Sequence, residues 1–431
     1  ENIMENKKRK KSFIFQILLV TIFINWVIPK AGIKVKEIPL TLGIVFFIML
    51  LFFWLLSKIK IKISFNNVFG IIIFSIFYYI LRFIYAFNCE SLQLGEIFGY
   101  GIPLMIFPLI YIVIYNEVNT YEKYDQIMKI LTFGYYILTV YSILQAIFGI
   151  EKVTIPGITV NLTDYKTFGN QWFLTKSNGI TVESAKIVST YQNGNMFGVN
   201  LILFFPIIFE DLLKNKQKNK AVIALVLFII TELLTLSRTC WVGVVIFVIF
   251  RFIFKENKNI KAILMKMTSL VILIFVFYIV LQKVPSVSSR LLNTDFETFT
   301  KASGRTEGAV TFLKSSFEEG NPIINLLFGP WGLIEKRGLA YEMIEIAIFK
   351  VSGIIGLSFW IAILMLILIN VKRNKMTSSS GYEIAIIMWL IVSFIDGAYW
   401  APPTALNLFT LLGLASANIR INREDKEKEK V

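Results

Sequence analysis

The chain has 431 residues, 56% of them apolar and 39 of them phenylalanine, and its mean hydropathy is +0.67. Soluble domains sit near about 45–50% apolar, so the composition excludes an ordinary soluble protein and points to the integral-membrane class. Histidine is absent and there are 2 cysteines, Cys89 and Cys240. That removes the commonest general base and zinc ligand, and leaves too few thiols for a metal site or a disulfide framework.

Apolar runs of roughly 20 residues alternate with short charged breaks, the spacing that a bilayer demands of helices. The pattern predicts twelve spans, at 12–29, 38–57, 67–87, 96–115, 127–149, 195–213, 221–236, 240–254, 262–282, 342–370, 382–396 and 403–419. The expected fold is an all-α integral membrane protein with a single polytopic domain over 1–431. The basic start, Lys7 to Lys11, followed by Phe13–Ile28, is like a signal peptide. No small-residue cleavage site follows, so it reads as an uncleaved first helix. The net charge of +15 would suit a nucleic-acid partner, but the lysines and arginines concentrate in the segments that alternate on one side. This is the positive-inside asymmetry, and it places both termini in the cytoplasm with the basic residues near anionic headgroups. The tail Arg420–Lys430 alternates in charge and reads as a frayed cytoplasmic end.

Two polar segments interrupt the pattern on the outer side, 151–194 and 283–341. The first, with Pro156, Gly157, Gly169 and Gly179, is expected to form turns and short strand-like pieces at Val153–Ile158 and Ile180–Val182. In the second, Ala309, Val310, Phe312, Leu313 and Phe317 recur at helical spacing and predict a helix over Glu307–Phe317. Pro322–Gly332 reads as a turn-rich return.

The candidate chemistry lies at the outer ends of the spans. Ser237-Arg238-Thr239 joins the seventh and eighth spans, which pins Arg238 at the membrane surface. Its guanidinium either caps the carbonyls of the seventh helix or presents a five-donor fork to a phosphate at headgroup depth. Arg305 precedes the predicted loop helix, and Arg290 is similar. Glu342 stands at the start of the tenth span, with Glu345 one turn further in and Lys350 deeper. A carboxylate there either stabilises the helix dipole or serves as a general base. Arg82 is expected to face the bundle, with Glu232 or Asp396 as its partner. Trp172, Tyr191, Asn193 and Trp331 are either interfacial anchors or the lining of a sugar groove. There is no nucleotide fingerprint, no phosphate-binding glycine loop and no paired-cysteine motif.

Four pieces in order resemble the O-antigen polymerase and O-antigen ligase superfamily (Wzy-type repeat-unit polymerases). They are Gly194-Asn195-Met196-Phe197-Gly198 opening the sixth span, Leu236-Ser237-Arg238-Thr239 ending the seventh, Ser303-Gly304-Arg305 before the loop helix, and the pair Gly353 and Gly356 in the tenth. Ligases of that family carry a His-Asn pair eleven residues before the glycine pair. Here Glu342-Met343 stands there, which favours the polymerase branch. The resemblance implies a GT-C-like architecture and a glycosyltransferase of the bacterial cytoplasmic membrane. Its donor and acceptor would both be lipid-pyrophosphate-linked oligosaccharides of the undecaprenyl type, joined on the outer face to make O-antigen, capsule or exopolysaccharide. It implies no cofactor, no metal and no nucleic acid, and it brings a chain-length regulator or flippase as partner proteins. Arg238, Arg305 and Glu342 would be catalytic, and Arg82, Arg290, Asn195, Ser237 and Glu345 would bind substrate. The alternatives are ligase-like transfer to another acceptor, a polysaccharide flippase or transporter, and an accessory membrane protein.

Overall fold

A computed structural model describes residues 13–35, 38–58, 63–89, 101–163, 186–254, 305–318, 321–330, 343–374, 379–395 and 402–428. These residues form a helical bundle with one small hairpin. In chain order the elements are α1 (Phe13–Val27), β1 (Gly32–Val35), β2 (Ile38–Thr41), α2 (Leu42–Lys58), α3 (Asn67–Cys89), α4 (Ile102–Met105), α5 (Leu109–Glu117), α6 (Tyr121–Phe148) and α7 (Ile150–Val153). Then come α8 (Gly194–Lys214), α9 (Lys218–Leu234), α10 (Arg238–Val248), α11 (Arg305–Glu318), α12 (Pro322–Phe328), α13 (Ile344–Arg373), α14 (Ser379–Ser393) and α15 (Pro402–Lys428). Five of them, α3, α6, α8, α13 and α15, are long and apolar enough to cross a membrane.

Two of these helices form the centre. In α8, 89% of the apolar stretch is buried, and in α15 94%, against 39% in α3 and α6 and 33% in α13. The outer helices turn large apolar side chains outward, among them Phe52, Phe74, Phe77, Phe133 and Ile147. An apolar exterior over a packed interior is what a lipid-facing bundle needs. Aromatic packing ties α8 to its neighbours: Phe205 stacks on Phe228 of α9 at 3.9 Å and meets Phe247 of α10 edge-on at 4.9 Å. Gly134 lets Trp26 lie against α6, where its indole N–H donates to Leu131 O at 3.1 Å.

A polar network crosses the centre. Asn200 Nδ2 donates to Thr404 Oγ1 at 2.8 Å, and Asn407 Nδ2 donates to Asn200 Oδ1 at 2.8 Å. In apolar surroundings such groups must find each other, and they fix the register of α8 against α15.

Hydrogen bonds also fix which helix ends lie together. The hydroxyls of Tyr124, early in α6, and Tyr382, early in α14, share a bond of 2.8 Å. At the other end of α6, Gln145 Nε2 donates to Ser189 O at 2.9 Å, just before α8 begins. So α8 runs antiparallel to both α6 and α14, and the end of α14 lies with the start of α8. The start of α13 joins them, because Ser393 Oγ of α14 donates to Glu345 Oε1 at 2.5 Å.

The opposite end gathers cations. Lys58 Nζ lies 3.2 Å from Glu117 Oε1, Lys123 Nζ donates to Glu117 O at 2.8 Å, and Arg420 Nη2 donates to Val118 O at 3.1 Å. Deeper in, Arg251 pairs with Glu210 within a π-helical turn, Ile249–Phe254, that continues α10.

Several expectations are corrected. α15 does not fray at Arg420 but runs to Lys428, because Arg420 packs over the Tyr115 ring at 4.7 Å and Tyr121 hydrogen-bonds Asn422. The second span starts only at Leu42, since 38–41 pair with 32–35, Val35 opposite Ile38. The fourth is broken at 106–108, and Pro108, without an N–H, caps the second piece. Val153–Ile158 is not strand-like: 150–153 are helical, and a turn follows with an isolated bridge from Pro156 to Val160. Pro322–Gly332 holds the helix α12, because Asn321 Oδ1 accepts from Ile323 N at 3.0 Å and Pro322 suits the first helical turn. The predicted loop helix is present as α11. The expected strand at Ile180–Val182 and the ninth span lie outside the described residues.

Gly353 interrupts α13 with φ 61°, and a Cβ there would stand 2.3 Å from Leu327 O of α12. With ψ −164° the backbone there lies in a region that is essentially restricted to glycine, so replacing Gly353 by Ala should cost backbone strain of about 1–3 kcal/mol plus the loss of the α12 contact. The expected outcome is a lower midpoint of thermal unfolding in detergent, with Gly70→Ala, which meets open space, as the unperturbed control.

Candidate functional site at the Asn195 end of the bundle

The site is built around the turn between α9 and α10. The last carbonyls of α9 already have donors. Thr231 O accepts from Thr235 N at 3.1 Å, Leu233 O from Leu236 N at 3.1 Å, and Leu234 O from Ile187 N at 3.2 Å. Glu232 O accepts from Thr235 Oγ1 at 2.6 Å and from Trp241 Nε1 at 3.1 Å. Capping of the seventh helix therefore does not require the Arg238 guanidinium.

The turn itself is tight. Leu236 adopts φ 50°, a costly conformation for a leucine, and Ser237 N donates to Thr235 Oγ1 at 3.3 Å. This geometry presents the half-buried Arg238 as the first residue of α10. Ser237 is the N-cap residue but supplies no side-chain cap. A cation at the positive end of a helix dipole is unfavourable alone and becomes favourable beside an anion, which both the dipole and the guanidinium attract.

The segment before α8 closes onto this turn. A Cβ on Gly194 would stand 2.8 Å from Thr235 O and 2.9 Å from Ile187 O, so only glycine allows the approach. Asn193 caps α8, its Oδ1 accepting from Met196 N at 2.8 Å. Lys186 Nζ donates to Asn195 Oδ1 at 3.0 Å, and the Cys240 thiol lies 3.8 Å from Asn195 O. One end of the bundle thus carries Lys186, Asn195, Ser237 and Arg238 together with the N-termini of α8 and α10. Lys186 was not among the residues expected from sequence. A lysine in a polar segment has no distinguishing pattern there, and only its bond to Asn195 marks it.

Glu345 belongs to the same end, in the first turn of α13, buried and held by Ser393. Arg82 does not pair with Glu232, contrary to expectation. Its Nε donates to Phe328 O at 2.6 Å and its Nη2 to Gly329 O at 3.0 Å, so it closes the C-terminus of α12. Glu232 instead lies fully buried against Cys240 and the bare Cα of Gly198, where a Cβ would come within 2.5 Å of Glu232 Oε2. Tyr191 is a core residue, its hydroxyl donating to Trp26 O at 2.7 Å, and does not line a groove. Arg305 opens α11. Glu342, Arg290, Asp396, Trp172 and Trp331 lie outside the described residues.

Fold and site together define a mainly helical protein of the membrane class whose Asn195 end gathers polar groups with Lys186 and Arg238. Compared with models of known families and with curated proteins, the sequence matches none.

Gly194→Ala should separate the 186–194 segment from the α9–α10 turn, because both obstructing atoms are backbone carbonyls. Forced overpacking of this kind costs about 1–3 kcal/mol. It should appear as a lower unfolding midpoint together with faster amide exchange at Ile187, whose N–H is bonded across that seam.

Proposed function

We propose that the chain is a polymerase of lipid-pyrophosphate-linked oligosaccharide repeat units. It would work on the outer face of a bacterial cytoplasmic membrane, with twelve spans, both termini inside, and the Asn195 end outward. The observation that carries the reading is the placement of Arg238 at the head of α10, at the bundle end that also carries Lys186 and Asn195, next to an α9 C-terminus whose last carbonyls already have donors. A guanidinium, an ammonium and two helix N-termini converging at one end suit the charge of a pyrophosphate. The cations at the other end suit the inner leaflet.

In this reading a hydroxyl oxygen of the acceptor sugar attacks the anomeric carbon of the donor glycan. The new C–O bond forms as the bond to the pyrophosphate oxygen breaks. The lipid pyrophosphate leaves with that electron pair, and the hydroxyl proton passes to a carboxylate, assigned to Glu342. Arg238 and Arg305 neutralise the charge growing on the leaving group, which lowers the barrier more than it tightens substrate binding. Asn195, Ser237 and Glu345 bind and orient the substrate, as does Arg290. Nothing in these steps requires a nucleotide sugar or a metal.

The test is incubation of the purified protein with lipid-linked repeat units alone, in the presence of EDTA, with the products resolved by length. A ladder of longer glycans is expected. Folded Arg238→Ala protein should form it about 10²-fold more slowly, the size of effect expected when one donor to a developing charge is lost. Glu342→Gln should also lose the ladder. Unchanged substrate with wild-type protein, together with passage of that substrate across a liposome bilayer, would replace the polymerase reading with a transporter.

A further inference from the structure

The loop helices α11 and α12 are docked onto the bundle by a small set of directed contacts. α11 packs on α13 through Phe312 and Phe349, edge to face at 6.3 Å, with Leu313 and Ile346 beside them. α12 is tied to α11 by Asn325 Nδ2, which donates to Ser316 O at 2.9 Å. α12 then meets α13 through two glycines that require each other. A Cβ on Gly329 would stand 2.4 Å from Lys350 O, and one on Gly353 2.3 Å from Leu327 O. Both have positive φ, 89° and 61°.

α3 contributes a further contact. Arg82 is 4% exposed and reaches across to Phe328 O and Gly329 O, the carbonyls at the end of α12. α3 is itself fixed to α13 on both sides of the kink: Tyr78 OH donates to Ser352 O at 2.5 Å and Tyr79 OH to Gly356 O at 3.0 Å. The guanidinium thus sits where three elements meet, with its Nε and Nη2 bonded to the carbonyls that end a seven-residue helix. Such a short helix has little stability of its own, and a charged donor bonded to two buried carbonyls is among the stronger polar ties available.

We infer that Arg82 is a positioning residue: it locks the α11–α12 pair onto the kink of α13, and so sets where Arg305, at the head of α11, stands relative to the bundle end that carries Arg238. Its consequence for transfer rests on the polymerase reading; its consequence for the helices does not. Lysine cannot reproduce the lock, because a single ammonium lacks the planar fork that reaches both carbonyls.

Two measurements on the full-length protein in detergent test it. In amide hydrogen exchange, Arg82→Met should speed exchange across 305–328 at least tenfold and leave the central helix α15 unchanged, with Arg82→Lys in between. In the glycan-ladder assay, Arg82→Met should lower kcat by about ten- to a hundredfold, the range expected when a reacting group shifts by around 1 Å, with KM changed little. Arg82→Lys should recover part of that loss. Unchanged exchange in 305–328 overturns the lock. Faster exchange with unaltered kcat overturns the positioning of Arg305. Exchange that rises equally in α15 also overturns the proposal, since Arg82 would then serve global stability alone. If wild-type protein makes no ladder, the polymerase reading fails by itself, and the exchange result still decides whether Arg82 holds the loop helices.

Discussion

A helix that ends inside or beside a membrane leaves carbonyls that water does not readily reach, and each one must find a donor from the protein. Two helix ends in this chain show how that requirement shapes everything around them. At the end of α9 the donors are Thr235, Leu236, Trp241 and the backbone N–H of Ile187. At the end of α12 they include Arg82 from a helix more than 200 residues away in sequence. The first solution draws the 186–194 segment onto the α9–α10 turn and assembles the Asn195 end. The second draws the loop helices onto the kink of α13.

The two solutions divide the arginines by role. Arg238 sits at the start of a helix, where its charge adds to the positive end of the dipole, and that arrangement favours an anion. Arg82 sits at the end of one, where its charge complements the dipole and its donors meet carbonyls. The same side chain therefore suits ligand binding in one position and construction in the other. Membrane depth alone does not distinguish them.

Glycines provide the second theme. Gly194, Gly198, Gly329 and Gly353 each lie where a Cβ would strike a neighbour at 2.9 Å or less. Gly198 admits Cys240 and the buried Glu232, and Gly194 admits the turn that presents Arg238. In the tenth-span pair, Gly353 makes the kink that receives α12, and Gly356 lies against Ser352 and Tyr79. Gly194, Gly198, Gly353 and Gly356, which belong to the motifs of the resemblance, thus have a packing reason of their own, whatever the reaction.

Sequence by itself determined the class of the protein, the rough extent of its apolar helices and the helix α11. These follow from composition and from periodicities of about 3.6 residues, which are local properties. The Asn321-Pro322 start of α12 is equally local, an N-cap followed by proline. Only the tertiary structure decided that 32–41 pair as a hairpin, that α15 runs on past Arg420, that Arg82 serves α12 and not Glu232, and that Lys186 joins Asn195. Each depends on which donor meets which acceptor across distant segments. A sequence states how many polar groups must be satisfied in an apolar medium, and the packed bundle decides which ones satisfy each other.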